Sequence, residues 1–150
     1  MRPQRALVLA AAALALLAGC GARLSKAQYE HEVRSVYENV RRAFRETKVG
    51  EARLPARIVA AQQALRSSAR KLEDSKPPSR VEKPNHELAE GMRDYADELD
   101  ELRRAAEAHD AKAVAAFNAR LSQDEAIERI GEAAEKIRSE GYDLGPIASG

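Results

Sequence analysis

Apolar residues recur along the chain at helical spacing in four separate stretches, each bounded by residues that start or stop helices. The first runs Tyr29, Val33, Val36, Tyr37, Val40 and Phe44, in steps that place these side chains on one face. Glu30, Glu32, Arg34, Glu38 and Arg41 fill the other side. Its start is marked by Ser25 and Gln28, a capping box in which each side chain accepts from the other residue's backbone amide. Leu24 and Tyr29 stand at the staple positions. Lys48 to Arg53, with Gly50, reads as a turn. A second stripe is made by Leu54, Ile58, Ala61, Leu65, Ser68 and Leu72. It predicts a helix opening at Pro55, whose missing donor costs nothing at the first helical position. That helix ends in Asp74 to Arg80, where Pro77-Pro78 biases the preceding residues away from helical backbone.

The third stretch alternates by fours and threes through Val81, Asn85, Leu88, Met92, Tyr95, Leu99, Leu102, Ala106 and His109. Pro84 lies near its beginning, so the helix starts just after Pro78 with a kink, which is the preferred reading, or at Pro84 itself. Asp110 is the expected cap of a fourth helix carrying Val114, Phe117, Leu121, Ile127, Ile130, Ala134 and Ile137. Between Leu121 and Ile127 the register slips, and Asp124 occupies an apolar position. We read this as a stammer that overwinds one continuous helix. The alternative is a break, with Ser122 and Glu125 forming a second capping box. Gly141 suits the left-handed site past the helix end, with Tyr142 folding back onto Ile137, and 143–150 reads as a flexible tail.

Four amphipathic segments on short connections predict an all-α, antiparallel four-helix bundle over residues 25–142. A three-helix bundle with a detached, aromatic first helix is the competing arrangement. With no Trp, two Phe and four Tyr, the core rests on Leu, Ile, Val and Ala, as helices packing through small side chains require. Asn85 and Ser68 are polar at core positions and read as residues that set register or are partly exposed near the loops; the alternative is that they line a small cavity.

Ahead of the helices stand the parts of a secretory signal: Arg2 and Arg5, the apolar run Ala6 to Leu17, then Ala18 and Gly19. At about 1.5 Å per residue that run is too short to span a hydrocarbon core of ~30 Å. Leu17-Ala18-Gly19-Cys20 resembles the bacterial lipobox. The resemblance implies a leader over 1–19, cleavage between Gly19 and Cys20, a diacylglyceryl group on Cys20, and 20–24 as anchor and short tether. The alternative is an ordinary signal peptide with a Cys near its end. Two acyl chains hold a protein on a membrane stably where one does not. Cys20 is the only cysteine, so lipidation leaves no thiol for a disulfide, zinc site or redox work. The 25 basic residues fall to 23 once Arg2 and Arg5 leave, one fewer than the 24 acidic ones. That balance suggests neither a polybasic membrane patch nor a nucleic-acid footprint.

The chain also resembles uncharacterised lipoproteins of high-GC, actinobacterial type. The matching residues are Leu24-Ser25 and Tyr29, Pro77-Pro78, then His86-Glu87-Leu88 and Gly91, with the closing Gly141-Tyr142-Asp143-Leu144. The resemblance spans most of the mature chain and implies fold and location but no activity.

Sets that carry chemistry are missing. A di-iron bundle needs paired Glu-x-x-His motifs, and none occurs; neither does His-Glu-x-x-His. Glu82, His86 and Glu90 share a face and form one side of a metal site only if another helix supplies ligands; otherwise they are a solvated His beside helix-stabilising carboxylates. His31 reads as a surface residue, and His109 as a core-register residue favoured by the helix dipole. No Gly-rich phosphate loop and no Gly-x-Ser-x-Gly elbow is present. Asp94, Asp97, Glu98, Asp100 and Glu101 spread around a helix, whereas a calcium loop needs them converging. The expectation is no enzyme, no cofactor, no metal and no nucleic acid. What remains is a lipid-anchored interaction or scaffolding module on the extracytoplasmic face of the cell membrane, with an envelope protein as possible partner and an open oligomeric state. The alternative is a bundle that holds a small apolar ligand or lipid between its helices.

Overall fold

The computed structural model describes residues 22–45 and 54–145, and among them every regular element is helical. The leader with Gly19 and Cys20, the turn at Lys48 to Arg53, and 146–150 lie outside the described residues. Five helices follow in order: α1 Lys26–Arg45, α2 Leu54–Asp74, α3 Glu82–Glu107, α4 Ala111–Arg120 and α5 Glu125–Ser139. Short 3-10 turns at Ser79–Val81 and Leu121–Gln123 precede α3 and α5.

The capping box at the head of α1 forms as its sequence requires. Ser25 N donates to Gln28 Oε1 at 2.9 Å, and Gln28 N to Ser25 Oγ at 3.4 Å. Tyr29, Val33 and Val36 are buried behind it, with Leu24, Tyr37 and Val40 packed against the same core. The first helix is therefore part of the bundle, which removes the detached-helix alternative. α2 begins at Leu54, one residue before the expected Pro55. It buries a wider face than the stripe suggests, adding Gln62, Ala64 and Ala69, because it packs on α1 along one side and α3 along the other.

The segments are antiparallel, and the contacts fix their register. On α1 and α2, Asn39 meets Ser68 (3.2 Å), Glu32 meets Lys71 (3.3 Å), and Leu24 meets Lys76 (2.7 Å), so falling numbers face rising ones. On α2 and α3 the same holds for Gln62 with Asp100 (2.8 Å), Arg66 with Asp97 (2.8 Å) and Glu73 with Arg93. α3, 26 residues and so ~39 Å long, is the central helix, packing on α2, α4 and α5. It starts at Glu82, between the two expected places, because Ser79–Val81 after Pro78 form a 3-10 turn; Pro84 sits in its first turn, where an amide would have no intrahelical partner anyway. Gly91 is a point of close approach to α5: a Cβ there would lie 2.9 Å from Ile130 Cγ1 and 3.2 Å from the Ala126 carbonyl oxygen.

Four sequence expectations are corrected beyond this point. His109 is not in the core stripe. α3 ends at Glu107, and His109 is exposed in the left-handed conformation at φ 54°. His109 N donates to Ala106 O (3.2 Å) and Asp110 N to Ala105 O (2.9 Å), the paired bonds of a Schellman stop. Asp110 then caps α4 as expected, accepting from Ala113 N at 2.9 Å. The second correction is the stammer. The fourth segment breaks, and neither Ser122 nor a continuous helix explains it: Asp124 adopts extended backbone and accepts from both Ala126 N and Ile127 N at 3.0 Å. An aspartate at an apolar position is thus the cap of a new helix. Third, the restart turns Ile127 outward to 37% exposure, while Ala126, Ala133, Ala134 and Ile137 go inside. α4 lies along the C-terminal part of α3 and α5 along its N-terminal part, so together they make the fourth antiparallel segment.

The fourth correction concerns the tail. Gly141 takes the left-handed site at φ 85°, as its position predicts. Tyr142 reaches α1 instead of merely covering Ile137, meeting the Tyr29 ring edge-on at 5.4 Å. Beyond it Leu144 is 3% exposed, Asp143 N donates to Glu30 Oε1 (2.9 Å), and Arg34 donates to the Asp143 carbonyl (2.9 Å) and carboxylate (2.6 Å). The described part of the expected loose tail is a strap from the last helix onto the first.

Candidate functional site

The end of the bundle at which the described chain begins is built by segments distant in sequence. Leu24 N donates to the Lys76 carbonyl at 2.7 Å, and Arg23 Nη1 to the Pro77 carbonyl at 2.9 Å. Arg23 also pairs with Glu82 at 2.8 Å. Pro77 and Pro78 set the turn that presents those carbonyls, and the Ser25–Gln28 box sets the direction from which the chain arrives. Arg23 and Leu24, expected within the tether, are therefore joined to the folded body. A groove of about 580 Å³ lies beside this turn, walled by Glu73, Ser79, Glu82, Lys83 and His86. Lys76 and Arg80 are exposed, and among the described residues neither side chain has an ion-pair or hydrogen-bond partner.

Behind this end lies a buried polar relay. Tyr29 Oη donates to Asn85 Oδ1 (3.1 Å), and Asn85 Nδ2 donates to the Leu72 carbonyl (2.9 Å). Leu72 O belongs to the last turn of α2, where carbonyls lack intrahelical partners. One amide thereby ties α1, α2 and α3 in a single register, so Asn85 is a buried register-setting residue. Burial, and secondarily the nearby Tyr142, pushes the Tyr29 hydroxyl far above its ordinary range. Tyr29→Phe leaves Asn85 Oδ1 without its donor and is expected to cost about 1 to 2 kcal/mol. Urea denaturation checks this; an unchanged midpoint would show that the relay adds nothing to stability.

Ser68, the other polar core residue, accepts from Asn39 across the α1–α2 seam, beside a groove of about 300 Å³ whose walls include Ser35, Arg42 and Lys71. Gln62, a buried polar residue that apolar spacing does not reveal, donates to Ala96 O and Asp100 Oδ1, both at 2.8 Å. That amide, followed by Arg103, holds Asp100 below its ordinary value. An i, i+3, i+4 count finds apolar positions only, so a core glutamine aimed at a neighbouring backbone gave no signal.

The acidic stretch of α3 makes interhelical pairs. Asp97 meets Arg66 of α2 (2.8 Å), Glu101 meets Arg120 of α4 (2.8 Å), and Asp94 meets Arg129 of α5. Glu98 differs. Its hydrogen bond with Asp124, the cap of α5, raises its carboxyl to about 7, with burial and the charges of Asp124 and Asp94 adding and Arg120 opposing. A raised folded-state value contributes stability that is fully present below the ordinary Glu value and lost as pH rises through about 7. Glu98→Gln keeps a donor toward Asp124 at every pH. Its melting temperature is expected to match wild type near pH 4 and to exceed it increasingly from pH 6 to 8, by a modest amount because Glu98 is exposed to screening water. Parallel melting curves across that range would remove the Glu98–Asp124 bond from the account.

The histidine expectations resolve separately. His86 Nε2 lies 3.2 Å from Glu90, whereas Glu82 turns away to Arg23, so the three do not converge. His31 is exposed, as its position off the apolar face predicts. Among the described residues no group of three or more His, Cys, Asp or Glu side chains is placed to hold a metal ion, and no helix is long and apolar enough to cross a membrane. Comparisons of the chain with protein-family models, curated proteins and solved structures find no match. Its function has to be read from its own residues.

Proposed function

We propose that the chain is a lipid-anchored helical interaction module of the bacterial cell envelope. Cys20 carries a diacylglyceryl group at the mature N-terminus, and the bundle stands on the extracytoplasmic face of the cell membrane, where it engages an envelope protein instead of turning over a substrate. The observation that carries this reading is the place of the lipobox. Leu17 to Cys20 directly precede a helical body whose core members, Tyr29 to Leu144, all lie on its C-terminal side. Cleavage between Gly19 and Cys20 takes away the leader and none of these core residues. The resemblance to actinobacterial-type lipoproteins points the same way. The pairing of Asp94, Asp97 and Glu101 with arginines of other helices supports interaction over catalysis, because these carboxylates are committed to holding the bundle.

Growth with an alkyne-tagged fatty acid, then mass spectrometry of the mature N-terminal peptide, is expected to find the diacylglyceryl group on the Cys20 sulfur. Photocrosslinking in the native cells is expected to recover an envelope protein. An unmodified Cys20 overturns the anchoring reading, and recovery of no protein above background overturns the interaction reading.

A further inference from the structure

We infer that the groove between α1 and α2 is a binding site for a phosphorylated polyol, with the phosphate on Arg42 and the hydroxyls on Asn39 and Ser68. The inference does not depend on the lipid reading of Cys20. It goes beyond the interaction reading by giving the bundle a small-molecule ligand.

The space follows from the side chains. Beside its apolar stripe α1 carries a polar one, Ser35, Asn39 and Arg42, at the spacing of one helical face. Ser67, Ser68 and Lys71 of α2 stand against it. Short polar side chains on both helices do not fill the seam as leucines would, and about 300 Å³ stays open. Of the groove's walls Val36 alone is apolar, and it is 1% exposed. Hydroxyls, an amide and two cations suit a ligand held by hydrogen bonds and charge.

The hydrogen bonds within the groove leave donors in excess. Asn39 Nδ2 donates to Ser68 Oγ (3.2 Å) and Ser67 Oγ (3.4 Å), and Ser67 donates on to Ala64 O (3.0 Å). Lys71 Nζ is shared between Glu32 (3.3 Å) and Ser35 Oγ (3.2 Å). Among the described residues the Arg42 guanidinium has no ion-pair or hydrogen-bond partner, and the hydroxyl protons of Ser35 and Ser68 have no acceptor. Ser68 is 2% exposed, and a buried hydroxyl is ordinarily satisfied, so its proton meets its acceptor in the groove. Asn39 Oδ1 is left as an acceptor for a ligand hydroxyl. Guanidinium takes phosphate oxygens through parallel N–H bonds. Lys71 is held by Glu32 at the Ser35 end, so the phosphate belongs at Arg42, two helical turns or ~10 Å along α1.

Charge agrees once every acid is counted. The facing stretches, 31–45 and 60–74, carry seven basic residues and four acidic ones. Glu32 meets Lys71, Glu38 meets Arg41, and Glu73 meets Arg93. Asp74 stands past Lys71, at the end away from Arg42. Residues 46–53, outside the described ones, contain two residues of each sign and leave the balance unchanged.

The test follows the Val36 methyl signals of the full mature chain in nanodiscs of zwitterionic lipid, during titration with glycerol phosphate at constant ionic strength. A saturable shift is expected, roughly fivefold tighter than with inorganic phosphate and absent with glycerol alone. Arg42→Gln is expected to weaken binding roughly tenfold. Arg45→Gln, which removes an exposed cation of the same helical turn outside the groove, is expected to leave it unchanged. No saturable shift up to about 10 mM, equal weakening by the two variants, or equal affinity for glycerol phosphate and inorganic phosphate overturns the site. A further arm separates the sources of this chemistry. Exchanging the zwitterionic lipid for phosphatidylglycerol, without added ligand, reproduces the shift if the group is a lipid headgroup and leaves Val36 unmoved if it is a soluble molecule.

Discussion

Cys20→Ser is expected to abolish fatty-acid labelling completely and to move the bundle out of the membrane fraction, or to leave an uncleaved precursor of about 2 kDa greater mass than the mature chain. The argument is chemical. Diacylglyceryl transfer builds a thioether on a cysteine sulfur, and a serine hydroxyl at neutral pH is a far weaker nucleophile than a thiol. The energetic consequence follows from chain length. At ~0.8 kcal/mol per buried methylene, one acyl chain gives reversible binding and a second makes the attachment effectively permanent. Phase partition in detergent, together with the mass of the N-terminal peptide, reads the outcome. Labelling and fractionation identical to wild type would falsify the lipid assignment at residue 20.

Much of the bundle is legible in the sequence because its determinants are local. The Ser25–Gln28 box, the Pro77-Pro78 stop and the Gly141 terminator each act within a turn or two, and all three operate where the pattern puts them. What escapes is non-local or double-valued. Asp124 disturbs the apolar register, a fact compatible with overwinding or with capping; its extended backbone and two accepted amides select capping. His109 fits a heptad count, but Asp110 competes for the same stretch as a cap, and the helix yields two residues early. Leu144 lies in a short tail without periodicity to reveal it, and is buried where Tyr142 and Arg34 hold the chain across α1. The joining of Arg23 and Leu24 to the α2–α3 turn escapes for the same reason: Leu24 and Lys76 are far apart in sequence and meet only through a backbone hydrogen bond, beside the bond from Arg23 to Pro77.

Gly91→Leu is the substitution expected to damage the fold most, by about 3 kcal/mol or more. Two opposing effects meet at this position. Alanine in place of glycine inside a helix gains roughly 0.8 to 1 kcal/mol of helix propensity, and leucine nearly as much, so a glycine in the middle of α3 stands against a local preference. The offsetting effect is space. A Cβ at residue 91 would lie 2.9 Å from Ile130 Cγ1, which can rotate, but also 3.2 Å from both Ala126 O and Ile130 N, which belong to the α5 backbone. Moving those atoms means moving the helix, and α5 is held by the Asp124 cap and by the Arg129 and Lys136 pairs to α3. Gly91→Ala is expected to lie near balance, a loss of about 1 kcal/mol or less, since one methyl tests the gap and brings most of the propensity gain. Leucine adds three more carbons with no room to place them and forces α5 off α3. Urea denaturation of the two variants should therefore show a steep, unequal series, with Gly91→Leu far below Gly91→Ala and its fluorescence or near-UV signature of packing reduced. Equal midpoints for wild type, alanine and leucine would mean that α3 and α5 do not approach as closely as the Gly91–Ala126 geometry requires.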